Sequence, residues 1–174
     1  GTPGDDYFLR EGSDNIVWHT LEIHNHGNST KPLVSIRPTS DNAYEGATQI
    51  FIFMKDQVNL FAATTATLDQ LNLNIQGARI MTSELEHNAV DTYIVLDENN
   101  LPIDDKDRLQ HIRDTLIHAL ADPSKYSTII QRRTPRALKQ FAVETQVNMS
   151  NDPIMQHTVL EITAADRPGL LARI

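Results

Sequence analysis

The sequence predicts an α+β protein whose main domain follows the order βαββαβ, with an antiparallel four-stranded sheet and two helices on one face. Two observations support this fold class. Several short segments alternate apolar and polar residues, as half-buried strands do, and two longer segments repeat apolar residues at helical spacing. These segments follow one another between residues 48 and 149 in the order that the fold requires.

The first half of this domain is predicted to form a strand, a helix and a β-hairpin. Residues 48–54 alternate as the first strand, and Asp56 is expected to accept hydrogen bonds from the N–H groups of the next helix. Residues 74–83 and 89–96 are the paired strands, and Gly77 interrupts the alternation of the first, which indicates a β-bulge. The apolar stripe of the helix consists of Leu60, Phe61, Leu68 and Leu71.

The second half of the domain is predicted to contain a helix and a closing strand. Residues 105–120 carry an apolar stripe, and acidic residues crowd their start, where the helix dipole favours negative charge. Residues 145–149 alternate as the last strand, which is expected to complete the sheet. The stripe consists of Leu109, Ile112, Leu116, Ile117 and Leu120.

An additional helix and strand precede the domain. Ser13 begins a helical pattern that runs to His24, and Gly27 stands where a C-terminal cap is expected. Residues 32–38 form a short strand with proline at both ends, which is expected to fold back as an edge strand onto the strand at residue 48. The apolar side of the helix is predicted to consist of Ile16, Val17, Trp18, Leu21 and Ile23.

The composition limits the function classes. A net charge of −8 argues against non-specific binding to nucleic acid. No apolar run is long enough to span a bilayer, so no membrane partner is expected, and the absence of cysteine fits a cytoplasmic protein. One basic segment is interpreted as a solvated connection, or else as a docking patch for an acidic partner or a phosphate group. Its members are Arg132, Arg133, Arg136 and Lys139.

Two groups of polar residues lack the spacing of a catalytic or metal site. The first group is His19, His24 and His26, which contains no His-Glu-x-x-His pattern. The second group, which would meet across the hairpin or form its solvated face, is Glu84, Glu86, His87 and Asp91. The solvated face is favoured because no phosphate loop or metal spacing accompanies these residues. We therefore predict no catalytic residue, no metal site and no cofactor in this chain.

The end of the chain repeats the beginning of the main domain. Residues 157–163 alternate as a strand, and residues 164–174 follow with the pattern of a helix start. The matching positions are Ile162 with Ile52, Asp166 with Asp56, Leu170 with Leu60, and Ala172 with Ala62. The chain is therefore expected to hold one complete repeat and the start of a second.

The residues after this strand resemble the strand-to-helix turn of ACT domains, small modules of ferredoxin-like fold that sense amino acids. Pro168 pre-sets the first helical turn, Gly169 admits a ligand close to the backbone, and the helix start offers N–H groups to a carboxylate. A well-capped helix start without a ligand is the alternative. The resemblance implies as ligand-binding residues Asp166, Arg167, Pro168, Gly169 and Leu170, with Asp56 and Asn59 in the first repeat.

A longer pattern resembles the C-terminal regulatory region of the bifunctional PII uridylyltransferase/uridylyl-removing enzyme family. The matching segments are residues 7–10, 16–20, 32–34, 37–38, 48–97, 132–133, 135–136, 159–162 and 166–174, and the resemblance covers nearly the whole chain. The resemblance implies three parts. Residues 1–46 are an N-terminal helix and strand that link to a hydrolase domain, residues 47–152 are the first ACT domain, and residues 153–174 are the truncated start of a second.

The resemblance also implies what the longer protein does. Enzymes of this family attach UMP to a tyrosine of the PII nitrogen-signalling protein when glutamine is low, and remove it when glutamine is high. Their catalytic domains are expected to use Mg²⁺, and the enzymes are cytoplasmic. This chain contains the residue pattern of neither catalytic domain, so it is expected to be a non-catalytic fragment that senses L-glutamine.

The first repeat departs from the family pattern. Gln57-Val58-Asn59 stands where Arg-Pro-Gly is usual, which removes the glycine, although asparagine tolerates the left-handed conformation better than most residues. The second turn is therefore the stronger candidate for a glutamine site. The alternative function is an ACT-like module that forms a homodimer through its sheets, or docks a partner, without a small-molecule ligand.

Overall fold

The computed structural model describes residues 12–39, 44, 46–83, 86–122, 146–152, 157–164 and 171. In chain order, its helices and strands are α1 (Ser13–His26), β1 (Leu33–Pro38), β2 (Thr48–Lys55), α2 (Leu60–Gln70), β3 (Asn74–Arg79), β4 (Asn88–Leu96), α3 (Lys106–Leu120), β5 (Gln146–Asp152) and β6 (His157–Thr163). The predicted α+β class is confirmed. The helices and strands predicted between residues 13 and 163 are present, with small shifts of their boundaries. The helix start predicted over residues 164–174 lies almost entirely outside the described residues.

The first four strands form one antiparallel sheet in the order β1-β2-β4-β3. β1 pairs with β2 along its whole length, from Leu33 to Pro38, so the predicted edge strand is confirmed. The register between β3 and β4 shifts between Ile75 and Gly77, which confirms the predicted β-bulge. The hairpin of β3 and β4 therefore lies on the far side of β2 from β1.

The last strand of the predicted domain has a different partner. The prediction that residues 145–149 complete the four-stranded sheet is wrong, because β5 pairs with β6 in a separate two-stranded sheet. The edge beside β2, where the last strand of a βαββαβ domain would lie, is occupied by β1. β1 and β2 follow each other closely in sequence, so their pairing closes a short loop, whereas β5 would have to return from beyond α3.

The larger hydrophobic core lies between the sheet and two helices. α2 and α3 cover the same face of the sheet, as predicted, and contribute Leu60, Leu68, Ile112, Leu116 and Leu120 to this core. The sheet contributes Val34, Ile50, Ile52, Met54, Ala89, Tyr93 and Val95. Truncation of one large aliphatic residue in such a core to alanine costs about 2–5 kcal/mol, so this packing holds the start of α2 firmly against the sheet.

The N-terminal helix α1 covers the opposite face of the sheet. Trp18 and Phe51 pack in a second, smaller core, with their ring centroids 5.8 Å apart. The Arg37 guanidinium lies 4.2 Å from the centroid of the Trp18 ring and donates a hydrogen bond of 2.6 Å to Oδ1 of Asn15. A cation–π contact and a charge-assisted hydrogen bond therefore join α1 to β1.

The predicted apolar side of α1 is only partly correct. Ile16, Trp18 and Ile23 pack on the sheet, but Val17 and Leu21 are 60% and 55% exposed. The helix instead turns Asn15 and His19 towards the sheet, and both are buried. These two polar residues are favoured there because the sheet provides specific partners for them, a guanidinium for the amide and an aromatic ring for the imidazole.

Candidate functional site

A cavity of about 300 Å³ opens at the start of α2. It lies between the β2–α2 turn, the first turn of α2, the residues that follow β3 and the start of β4. Its polar wall consists of Asp56, Gln57, Asn59, Thr82 and Asp91, and its apolar wall of Leu60, Phe61, Ala62, Ile80 and Ala89. The structure thus brings Asp56 and Asn59, both predicted as ligand-binding residues, to the same cavity.

The backbone of the β2–α2 turn is held at both ends. The N–H of Asp56 donates to the carbonyl oxygen of His87 at 2.8 Å, and the N–H of Leu60 donates to the carbonyl oxygen of Gln57 at 3.2 Å. Between them, Asn59 has a left-handed conformation with φ 68° and ψ 11°. Asparagine is one of the few residues that adopt this conformation readily, so Asn59 replaces the glycine that the turn would otherwise need.

The side chain of Asp56 does not cap α2, so that prediction is wrong. Asn59 occupies the N-cap position, and its side chain makes no capping hydrogen bond. The Asp56 carboxylate instead accepts a hydrogen bond of 3.2 Å from the hydroxyl group of Thr82. Phe61 and Ala62 line the cavity, and both belong to the first turn of α2, whose N–H groups have no partner within the helix.

Asp91 is the buried acidic residue of the cavity. It is 2% exposed, and one of its carboxylate oxygens accepts a hydrogen bond of 3.3 Å from the N–H of Met81. Burial raises the pKa of Asp91 to about 7, and the negative charge of Asp56 adds to the rise, whereas the hydrogen bond from Met81 opposes it. Near neutral pH this carboxyl group therefore exists in both protonation states.

Sequence reasoning missed the burial of Asp91. It assigned this residue to the solvated face of the hairpin, although the alternation in β4 places Asp91 on the same side as Tyr93 and Val95, which are fully buried. That alternation was the available signal. Of the other residues in the predicted hairpin group, Glu86 and His87 are exposed, and Glu84 lies outside the described residues.

The three N-terminal histidines have different surroundings. His19 stacks on Phe51 with ring centroids 3.8 Å apart. Burial and the nearby positive charges of Arg37 and Arg79 lower the pKa of His19 to about 3, so the ring is neutral at physiological pH. Nε2 of His26 lies 2.8 Å from the carbonyl oxygen of Lys31, and His24 is exposed. Within the described ranges, no three His, Cys, Asp or Glu residues are arranged to hold a metal ion.

The ligand-binding residues of the second turn, Asp166, Arg167, Pro168, Gly169 and Leu170, lie outside the described residues, and so does the basic segment Arg132, Arg133, Arg136 and Lys139. In the part of the chain that the structure does cover, no helix has the length and apolar character that a membrane span requires.

The cavity combines two features that attract opposite charges. The carboxyl groups of Asp56 and Asp91 favour a cation, and the uncapped start of α2 favours an anion through its N–H groups and its dipole. The apolar wall can cover the carbon atoms of a ligand. A small molecule that carries both an ammonium group and a carboxylate, such as an α-amino acid, matches this arrangement.

The chain has close relatives among known proteins. It is 53% identical over 172 residues to the bifunctional uridylyltransferase/uridylyl-removing enzyme of Azotobacter vinelandii (strain DJ / ATCC BAA-1303). It is 51% identical over 172 residues to the proteins of that name from Stutzerimonas stutzeri (strain A1501) and Pseudomonas aeruginosa (strain LESB58). Each match covers 98% of this chain but only 19% of the relative. No protein-family model and no solved structure matches the chain. Over 98% of its length, the chain therefore corresponds to one segment of the longer bifunctional uridylyltransferase/uridylyl-removing enzymes.

Proposed function

We propose that this chain is the glutamine-sensing, non-catalytic region of an enzyme that uridylylates and deuridylylates the PII nitrogen-signalling protein in the cytoplasm. Its similarity to one segment of these enzymes and its ACT-like sheet with two helices on one face support this proposal. The observation that carries it is the cavity at the start of α2, which places two carboxyl groups beside an uncapped helix N-terminus. The catalytic groups, with their Mg²⁺, belong to other parts of the longer protein.

The cavity suggests how an amino acid binds. The α-carboxylate accepts hydrogen bonds from the first-turn N–H groups of Phe61 and Ala62, where the positive end of the helix dipole adds to the attraction. The α-ammonium group lies against the carboxylates of Asp56 and Asp91. Asn59 supports this arrangement because its left-handed backbone keeps the turn open in the absence of glycine.

The second turn of the chain supplies an equivalent site. Asp166 and Leu170 match Asp56 and Leu60 in the sequence repeat, and Gly169 adds the small residue that the first turn lacks. Glutamine bound at either turn favours one arrangement of the two modules. By linkage, that arrangement then favours one of the two opposing activities of the longer enzyme.

Calorimetric titration of this chain and of the full-length protein with L-glutamine tests the proposal, with L-glutamate as the control ligand. The informative variant is Asp56→Asn, which should weaken glutamine binding by about tenfold through loss of a charge-assisted hydrogen bond. Asp104→Asn, at an exposed position outside the cavity, should bind as the unmodified protein does. If neither protein binds glutamine, the sensing function is refuted. If the full-length protein binds and Asp56→Asn has no effect, the site lies at the second turn alone.

A second candidate function is dimerisation through the sheet. β3 lies at the edge of the four-stranded sheet, and its residues alternate between exposed and half-buried. An edge strand of this kind can pair with the same strand of another copy. Sedimentation equilibrium of this chain, compared with a variant carrying proline at Gln76 in the middle of β3, separates a β3-mediated dimer from a monomer.

A further inference from the structure

The hairpin of β5 and β6 has an apolar face that nothing covers among the described residues. Val147 and Met149 occupy alternate positions of β5, so they lie on the same face, and they are 57% and 72% exposed. Val147 is paired with Ile162 of β6, which brings a third apolar residue to this face. Exposed large apolar residues that adjoin one another on a strand pair indicate a contact surface.

The pairing of β5 with β6 repeats the pairing of β1 with β2. In the sequence repeat, Ile162 matches Ile52, and the structure pairs Ile162 with Val147 and Ile52 with Val34. Two residues further along, Met149 is paired with Leu160, just as Ile36 is paired with Ile50. The two hairpins therefore share orientation, register and apolar positions.

In the first module this same face is buried. Val34, Ile50 and Ile52 belong to the core beneath α2 and α3, with exposures of 1% or less, and Ile36 packs against that core. Val147 and Met149 thus occupy the positions of a helix-facing surface, and no helix of the described residues covers them. The matched register indicates what should cover them, since the same strand positions are covered by two amphipathic helices in the first module.

We infer that β5 is the edge strand of a second module, and that its face with Val147 and Met149 is the docking surface for two amphipathic helices of that module. These helices are equivalent to α2 and α3. We place them in the longer protein, since the match to this chain covers only 19% of its relative's length. In the first module β1 lies beside β2, at the edge that the last strand of a βαββαβ domain would occupy. By the same arrangement, β5 takes this edge beside β6 in the second module. The boundary between the modules therefore lies before Gln146, not at residue 152.

Methionine oxidation tests this inference, because a buried thioether reacts with peroxide only when its surroundings open. The rate at Met149 is measured by mass spectrometry in this chain and in the full-length protein. We expect it to be at least about tenfold lower in the full-length protein. Equal rates in the two proteins would overturn the inference. A low rate in the short chain that rises on dilution would also overturn it, since a second copy of the chain would then be the occupant.

Two matched variants test the surface by a separate route. Val147→Asp places a charge on the inferred contact face, whereas Asn148→Asp places one on the opposite face of the same strand. In the full-length protein, Val147→Asp should expose Met149 to peroxide at the rate seen in the short chain, and Asn148→Asp should leave it protected. If both variants leave Met149 protected, or if both expose it, the assigned face is wrong. This test does not depend on glutamine binding, so it stands or fails independently of the sensing function.

Discussion

The buried carboxyl group of Asp91 allows a quantitative test of the electrostatics in the cavity. Its pKa is raised from 3.8 to about 7 on folding, mainly by burial. A group whose pKa is higher in the folded state contributes stability below its unfolded pKa, and this contribution is lost as the pH rises through the folded pKa. The loss therefore extends from about pH 4 to pH 7. A shift of roughly three pH units corresponds to about 4 kcal/mol in the free energy of unfolding, and the near-complete burial of Asp91 argues against a large discount for solvent screening.

The informative change is Asp91→Asn, because asparagine keeps an oxygen that can accept the hydrogen bond from Met81 but cannot ionise. Urea unfolding of the variant and of the unmodified chain is measured at pH 4 and at pH 8. Between pH 4 and pH 8, the unmodified chain should lose about 4 kcal/mol of unfolding free energy that Asp91→Asn keeps. The titration of other groups, including His19, affects both proteins and cancels in this difference.

The matched control is Asp104→Asn, which removes an exposed carboxylate outside the cavity. Its difference from the unmodified chain should stay within a few tenths of a kcal/mol at both pH values. A difference in free energy of unfolding between Asp91→Asn and the unmodified chain that is the same at pH 4 and pH 8 would refute the raised pKa of Asp91. In that case the carboxyl group would be ionised in the folded state throughout, which requires a cation or water in the cavity.

Three further predictions follow from individual contacts. The pKa of His19 is lowered from 6.5 to about 3, so its contribution to stability is present above pH 6.5 and is lost as the pH falls towards 3. In urea unfolding across this range, the free energy of unfolding of His19→Phe should fall by about 5 kcal/mol less than that of the unmodified chain. An unchanged acid dependence would place a charged imidazole in the folded state. A Cβ at Gly77 would lie 3.1 Å from the Tyr44 hydroxyl oxygen, so Gly77→Ala should cost about 1 kcal/mol in thermal unfolding, and less in a Tyr44→Phe background; equal costs in both would contradict the contact. In urea unfolding, Asn59→Val should lose about 1–2 kcal/mol of stability because position 59 has a positive φ, whereas Asn59→Gly should lose none. Equal stabilities of the two variants would show that the turn relaxes.

The elements of this fold were predictable from local patterns. Alternating residues identified β2 and β4, and an apolar stripe identified α3. These patterns were reliable because each of these elements buries a face in the same core. The cap of α3 was equally local: acidic residues were predicted at its start, and Asp105 accepts hydrogen bonds from the N–H groups of Asp107 and Arg108 at 2.9 Å and 3.4 Å. The bulge at Gly77 followed from a break in alternation.

The errors arose where the outcome depends on distant residues. Val17 and Leu21 belong to the apolar stripe of α1 by pattern, but Arg37 and Phe51 select Asn15 and His19 for the buried side. No periodicity within α1 contains that information. The pairing of β5 was also not predictable from local pattern, because β1 and β5 have similar patterns and either could occupy the same edge of the sheet.

The turn that lines the cavity was predicted from the sequence, but the surroundings of its carboxyl groups were not. The turn with Asp56 and Asn59 was identified from the sequence repeat, and the left-handed conformation of Asn59 agrees with the tolerance of asparagine for it. The capping role of Asp56 was wrong, because the left-handed residue sits three positions later and takes the N-cap position itself. The buried carboxyl group of Asp91 comes from β4, far along the chain, and only the fold brings it to the turn.

The position of β1 connects the N-terminal part of the chain to the cavity. β1 is hydrogen-bonded to β2 along its whole length, and β2 leads directly into the turn that holds Asp56 and Asn59. On the other face, Arg37 of β1 holds α1 through Trp18 and Asn15. A displacement of α1 over the sheet must therefore break the contacts of Arg37 or move β1 with it, and a moving β1 strains its ladder with β2. The position of α1 is therefore coupled to β2, the strand that leads into the cavity, through packed contacts and a continuous strand pairing.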